Sequence, residues 1–183
     1  MPRIMIIRHA EKHNGGRERG VNIEGYHTKH ELTVRGWQRA GALVAFFAPL
    51  GGFAPGAPIS TPRSIFASAA TKVSPSLRAQ HTVGPLAALL GVEIDARHAD
   101  GEEPAAAAAV LAAPSPVLIA WHHSHIPRLA RLIGGDGLAC PETWPEDCFD
   151  IVWVLDREAD SSGPWRLSQV VQRLFATDRL API

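Results

Sequence analysis

Cysteine is nearly absent: there are two thiols in 183 residues, Cys140 and Cys148, eight apart in a Pro/Trp-rich stretch and in no CxxC pattern. A disulfide framework is thereby excluded, and the spacing argues for free thiols in a reducing compartment over a zinc site. Long apolar runs are lacking too. Runs such as Val117–Trp121 fall far short of the roughly 20 residues a membrane-spanning helix requires, and the Arg3-containing N-terminus has no signal-peptide core. The expectation is a soluble, cytoplasmic protein with no membrane partner. Net charge is also missing: eighteen Lys/Arg balance eighteen Asp/Glu, so the whole-chain field gives no reason to expect nucleic acid. Glycine (16) and proline (15) are scattered, while hydrophobic residues at 46% and charged residues at 20% suit a globular domain, which excludes a disordered or collagen-like chain. This length suits a single domain, residues 1–183, that buries about 70% of its unfolded surface. Oligomeric state leaves no signature.

The zero balance hides an asymmetry. Residues 1–90 carry eleven Lys/Arg against four Asp/Glu, and residues 91–183 carry seven against fourteen. An anionic ligand is therefore expected to be held mainly by the first half.

The chain opens with Arg3-Ile4-Met5-Ile6-Ile7-Arg8, a strand-length apolar run of the kind covered on both faces of a parallel sheet. Residues 10–31 are polar and hold Gly15, Gly16, Gly20 and Gly25; a connection this long in a compact domain is usually a binding loop or lid. Thr33 can cap a helix whose apolar positions Trp37, Ala40, Leu43, Val44 and Phe47 recur at three and four and belong to the core. Short buried strands are predicted at Ser64–Ala67 and Val117–Trp121, a weak one at residues 92–95, and two more at residues 151–155 and 165–170 joined by a turn at residues 160–163. Helices are predicted from Pro75 to Leu90 with Gly91 as stop, from Pro104 to before Pro114, and over residues 126–133. Strands alternating with helices imply a single-domain α/β sandwich of three layers with a mainly parallel central sheet.

In such sheets the ligand crevice lies beyond the carboxyl ends of the strands. The groups at those ends are cationic. The first strand ends in Arg8-His9, the strand at Ile65 leads through a small-residue loop to Arg78, and the strand at Val117 ends in His122-His123. Two guanidiniums and two imidazoles converging there would repel one another unless an anion neutralised them. Phosphate fits best, because arginine offers planar bidentate donors to phosphoryl oxygens and a neutral imidazole can attack phosphorus. Taken singly, Arg8-His9 reads as a solvated strand end, Arg78 as a helix charge and His122 as a core histidine; their joint occurrence carries the case.

Ile6-Ile7-Arg8-His9-Ala10-Glu11, Leu32-Thr33-Val34-Arg35-Gly36, Ser74-Pro75-Ser76-Leu77-Arg78-Ala79-Gln80-His81-Thr82 and Val117-Leu118-Ile119-Ala120-Trp121-His122 resemble, in order, the motifs of the histidine phosphatase superfamily, also called phosphoglycerate mutase-like. The resemblance implies that fold, and a phosphatase acting on a phosphorylated small molecule without cofactor or metal. It implies His9 as the nucleophile that becomes phosphorylated, Arg8 and Arg78 as the grip on the phosphoryl group, and His122 as the pocket's second histidine. The proton donor is sought among acidic residues near these segments, with Glu103 as the choice and Glu102 and Glu11 as neighbours. A phosphomutase of the same fold and an inactive phosphate-binding protein are the alternatives. His27-x-x-His30 and His122-His123-x-His125 are the candidate metal clusters, but no helical pattern puts the first pair on one face and adjacent histidines on a strand diverge.

Overall fold

The computed structural model describes residues 2–15, 18–158 and 163–183. Six strands form one sheet: β1 (Arg3–Arg8), β2 (Ser64–Ala67), β3 (Ile94–Asp95), β4 (Val117–Trp121), β5 (Ile151–Asp156) and β6 (Arg166–Val171). Their order is β3-β2-β4-β1-β5-β6. The first four run parallel and β5 is antiparallel to both of its neighbours, so the sheet is mixed but mainly parallel.

Because successive side chains of a strand point to opposite faces, each apolar run feeds two cores. Ile4 and Ile6 of β1 and Val117, Ile119 and Trp121 of β4 pack under α3 (Glu103–Ala112) and α4 (Ile126–Gly134). Met5, Ile7, Leu118 and Ala120 pack under α1 (Val34–Phe47) and α2 (Arg78–Leu90). Each fully buried Ile or Leu contributes about 1.5–3 kcal/mol, which explains why the continuous apolar runs became the central strands. The three layers match the expected architecture.

α1 begins where the sequence placed it. The Thr33 side chain accepts from Gly36 N, and the close packing of this turn on the end of β1 needs glycine, since a Cβ at Gly36 would lie 2.5 Å from the Glu11 carbonyl oxygen. Trp37 and Phe46 are only half-buried, whereas Phe47 and the unexpected Arg39 are buried. α2 starts at Arg78, not at Pro75. Residues 74–76 are held instead in a loop, with Ser74 N donating to Thr71 Oγ1 at 2.9 Å and Ser76 Oγ to the His30 carbonyl at 3.5 Å. β3 shrinks to two residues because Val92 N is spent closing α2 on the Ala87 carbonyl, beyond the left-handed Gly91. Residues 160–162 of the expected turn lie outside the described residues. Among the described residues, no helix is long and apolar enough to cross a membrane.

Candidate active site

The carboxyl ends of β1, β2 and β4 and the N-terminus of α2 meet around a cleft of about 310 Å³ lined by His9, Ser68, Ser74, Ser76, Arg78, Asp100, His122 and His125, with Ala69 and Ala79. Parallel strands flanking one another bring their ends to one edge, which is why residues 9, 78 and 122 become neighbours.

His9 is buried, and its Nδ1 lies 2.8 Å from the Ala10 carbonyl. A carbonyl only accepts, so Nδ1 carries the hydrogen and Nε2 is left with its lone pair. That Nε2 is buried with no partner among the described residues. Burial, and then the charge of Arg8, holds the imidazole well below its ordinary pKa, so it is neutral at pH 7. The Ala10 amide is anchored on Thr82 Oγ1 at 2.8 Å, and the same hydroxyl donates to the Arg78 carbonyl at 2.7 Å. Thr82 thus ties the exit of β1 to the first turn of α2.

Arg78 occupies that first turn, where the helix has no side-chain cap and presents its positive end. Its Nε and Nη2 donate to the carbonyls of Glu31 and Lys29, and burial lowers its pKa. His122 stands with its ring centroid 5.9 Å from that of His9, its Nδ1 2.8 Å from Ser124 Oγ. Burial and the neighbouring His123 push His122 down to about 4; burial and Arg8 do the same to His123.

Arg8 is buried beside His9 but is not among the residues lining the cleft. Its Nη1 donates to the Glu146 carbonyl, and its guanidinium stacks 3.9 Å from the ring centroid of Phe149. Nε and Nη2 have no partner among the described residues, and burial pulls its pKa down to about 10.

Glu103 is placed one layer behind the cleft. Fully buried, it accepts from Gly101 N at 2.7 Å and Trp121 Nε1 at 3.4 Å and meets His125 Nδ1 at 3.1 Å. The carboxyl that does line the cleft is Asp100. Its Oδ1 is buried without a partner among the described residues, and burial raises its pKa. Sequence reasoning passed over Asp100, although extending the search beyond the carboxyl end of β3 would have reached it. Ser124 was missed because nothing in its sequence context marks it. Among the described residues no group of three or more His, Cys, Asp or Glu is arranged to hold a metal. His27 lies in a separate pocket, and His30 enters the site only through its carbonyl.

No protein-family model matches the chain, and no curated protein matches it in sequence. Its fold does find matches. The solved structure of the protein histidine phosphatase SixA complexed with tungstate aligns with a TM-score of 0.56 at 14% identity, over 93% of this chain and 97% of that one. A mycobacterial glucosyl-3-phosphoglycerate phosphatase in its native form aligns at 12% identity, over 93% of this chain and 98% of that one, with a TM-score of 0.49.

Proposed function

We propose that this chain, which has the histidine phosphatase fold, is a phosphomonoesterase working through a phosphohistidine at His9. The observation that carries the reading is the state of His9: neutral, with its Nδ1 hydrogen spent on Ala10, and with an unpartnered Nε2 at a cleft that Arg78 also lines. Nε2 attacks phosphorus as the ester P–O bond breaks; the departing oxygen takes the proton of Asp100, whose burial keeps it protonated to a higher pH than an ordinary aspartate. Phosphorylation puts positive charge on the imidazole, and the Nδ1–H bond to Ala10 spreads it. Asp100, now a carboxylate, accepts a proton from the water that attacks the phosphohistidine. The P–N bond breaks, phosphate leaves, and both groups return to their starting states. Arg78, the free N–H groups of Arg8 and the N-terminus of α2 supply positive charge to the phosphoryl oxygens, so the reaction needs no metal. With Ser124 donating to Nδ1, His122 keeps an Nε2–H to offer the same oxygens. Glu103 positions His125 and the loop that carries Asp100.

Hydrolysis is favoured over mutase chemistry because β3, α3 and short connections take up the chain between α2 and β4, leaving no insertion to seal the cleft against water. The test is to mix the protein briefly with a radiolabelled aryl phosphate, quench it in denaturing alkali and map the label. Acid-labile phosphate on the His9 peptide is expected. Label on serine or threonine, or a His9→Ala chain that keeps a tenth of the parent rate, refutes the mechanism.

A further inference from the structure

A water molecule that attacks phosphorus must turn a lone pair toward it and both hydrogens away, so a cleft that aims the water needs two acceptors on one side. Asp100 supplies one. Its Oδ1 is buried without a partner among the described residues. His125 lines the same cleft as His9 and Asp100, and it has no part in the phosphoryl grip.

The tautomer of His125 follows from its neighbour. Its Nδ1 lies 3.1 Å from Oε1 of Glu103, and that oxygen also accepts from Gly101 N at 2.7 Å and from Trp121 Nε1 at 3.4 Å. An oxygen that takes hydrogens from an amide and an indole is an acceptor, so the hydrogen shared with His125 sits on Nδ1. Nε2 of the neutral ring is then a bare lone pair. Glu103 is fully buried while the His125 side chain is 35% exposed, so the ring runs from the interior at Nδ1 out to the cleft.

Both acceptors are fixed by the same atom. Glu103 Oε1 binds the amide that follows Asp100, where Gly101 turns the chain at a φ of +100°, and it binds the ring of His125. His125 is held from its backbone as well: its N donates to the His122 carbonyl at 3.0 Å in the 3₁₀ turn His123–His125 that leads into α4. Its ring stands edge-on to that of His122 at 5.9 Å between centroids, and His122 is in turn 5.9 Å from His9. A carboxylate that does not itself line the cleft therefore sets the spacing of two groups that do.

We propose that His125 is a catalytic residue of the second half-reaction, holding the attacking water through Nε2 while Asp100 holds its other hydrogen. This rests on the phosphatase reading of the site. The water oxygen bonds to phosphorus as the bond to Nε2 of His9 breaks; one proton passes to the Asp100 carboxylate, and the other stays on the oxygen in its hydrogen bond to His125. An alcohol has one hydrogen where water has two, and it leaves one acceptor unmatched. The pair thus selects water over a hydroxyl of the substrate.

The test compares the parent with His125→Asn, whose amide keeps an N–H for Glu103 and has no acceptor at the Nε2 position. Each chain is labelled on His9 with radioactive 4-nitrophenyl phosphate and chased with unlabelled ester. Loss of the label is followed by rapid quench in water and in aqueous methanol, where methyl phosphate and free phosphate are counted. In the variant, phosphorylation of His9 is expected within about threefold of the parent, while the label leaves on the order of tenfold more slowly and the ratio of methyl phosphate to phosphate rises about threefold. That ratio belongs to the molecules that carry label, so partial unfolding does not move it. Label that leaves at the parent rate overturns the assignment, and so does a slower loss with an unchanged ratio, which is what a merely structural role would give. A variant slowed only in phosphorylation places His125 in the first half-reaction and also overturns it. Absence of label from His9 in both chains removes the phosphohistidine reading, and the water assignment with it.

Discussion

Two buried arginines of this molecule differ in whether a carboxylate meets them. Arg39 is 2% exposed and surrounded by oxygen: its guanidinium donates to Glu11, to both carboxylate oxygens of Asp178 and to Gln172. Burial works against its charge, but the bonds to Asp178 and Glu11 more than compensate and raise its pKa above the ordinary value. Arg8 is 1% exposed and faces the opposite balance. It has carbonyls on one nitrogen and an aromatic face beneath it, no carboxylate in hydrogen-bond contact among the described residues, and a pKa pulled down to about 10. A structural cation carries its counter-ion with it, while one reserved for a ligand is left under-satisfied.

Methionine at each position breaks the comparison most directly. Arg39→Met strands the buried carboxylate of Asp178 and is expected to cost about 3–5 kcal/mol, read as a lower midpoint in urea. Arg8→Met removes a charge that lacks a counter-ion, so stability should move by no more than about 1 kcal/mol while phosphatase activity falls on the order of a hundredfold or more. If both variants unfold alike, Arg8 is structural as well.

A second pair sharpens it. Asp100→Asn should slow hydrolysis of an alkyl phosphate on the order of a hundredfold, yet barely affect 4-nitrophenyl phosphate, whose leaving group needs no proton. Glu103→Gln keeps an oxygen for Gly101 N and should do much less on either ester. Should Glu103→Gln reproduce the leaving-group dependence and Asp100→Asn not, the donor is Glu103.

Arg78→Lys tests the forked geometry. The ammonium keeps the charge but cannot hold two phosphoryl oxygens or both loop carbonyls, and kcat/KM should drop about tenfold. Parent-like efficiency would remove Arg78 from the phosphoryl grip.

The smallest effect is a pH dependence of stability. His122 and His123 have folded-state pKa values near 4 against an ordinary 6.5, and His9 is also well below it. A depressed folded pKa contributes stability that is full above 6.5 and is lost as pH falls toward 4. Asp100 has the opposite sign: its raised pKa contributes stability below the ordinary aspartate value of 3.8 that is lost as pH rises through the raised one. The thermal midpoint should therefore decline between pH 6.5 and 4, and the His122→Gln/His123→Gln chain should decline less. An unchanged slope in that double variant would mean that these histidines are not held neutral by the fold.

Local pattern sufficed where one residue's chemistry decides the outcome over a few neighbours. Continuous apolar runs became β1 and β4 with the boundaries read from them, Thr33 capped α1, and Gly91 ended α2. The gathering of His9, Arg78 and His122 was legible as well, since a parallel sheet sends the ends of adjacent strands to one edge. Which carboxyl lines the cleft was not. Asp100, Glu102 and Glu103 fall within four residues, and which carboxyl reaches the cleft depends on the path of the loop into α3, set by Gly101 N on Glu103 and by His125 arriving from beyond β4. Nor was Arg39, whose helical position reads as core until Glu11 and Asp178 converge on it from 28 residues upstream and 139 downstream. The sequence determined, through short-range periodicity and capping, which segments are strands and helices and which chemical groups stand at their ends. Only the tertiary structure decided which of those charges meet a counter-ion and which are buried without one, because ion pairing and desolvation depend on distances between groups that the chain brings together from far apart.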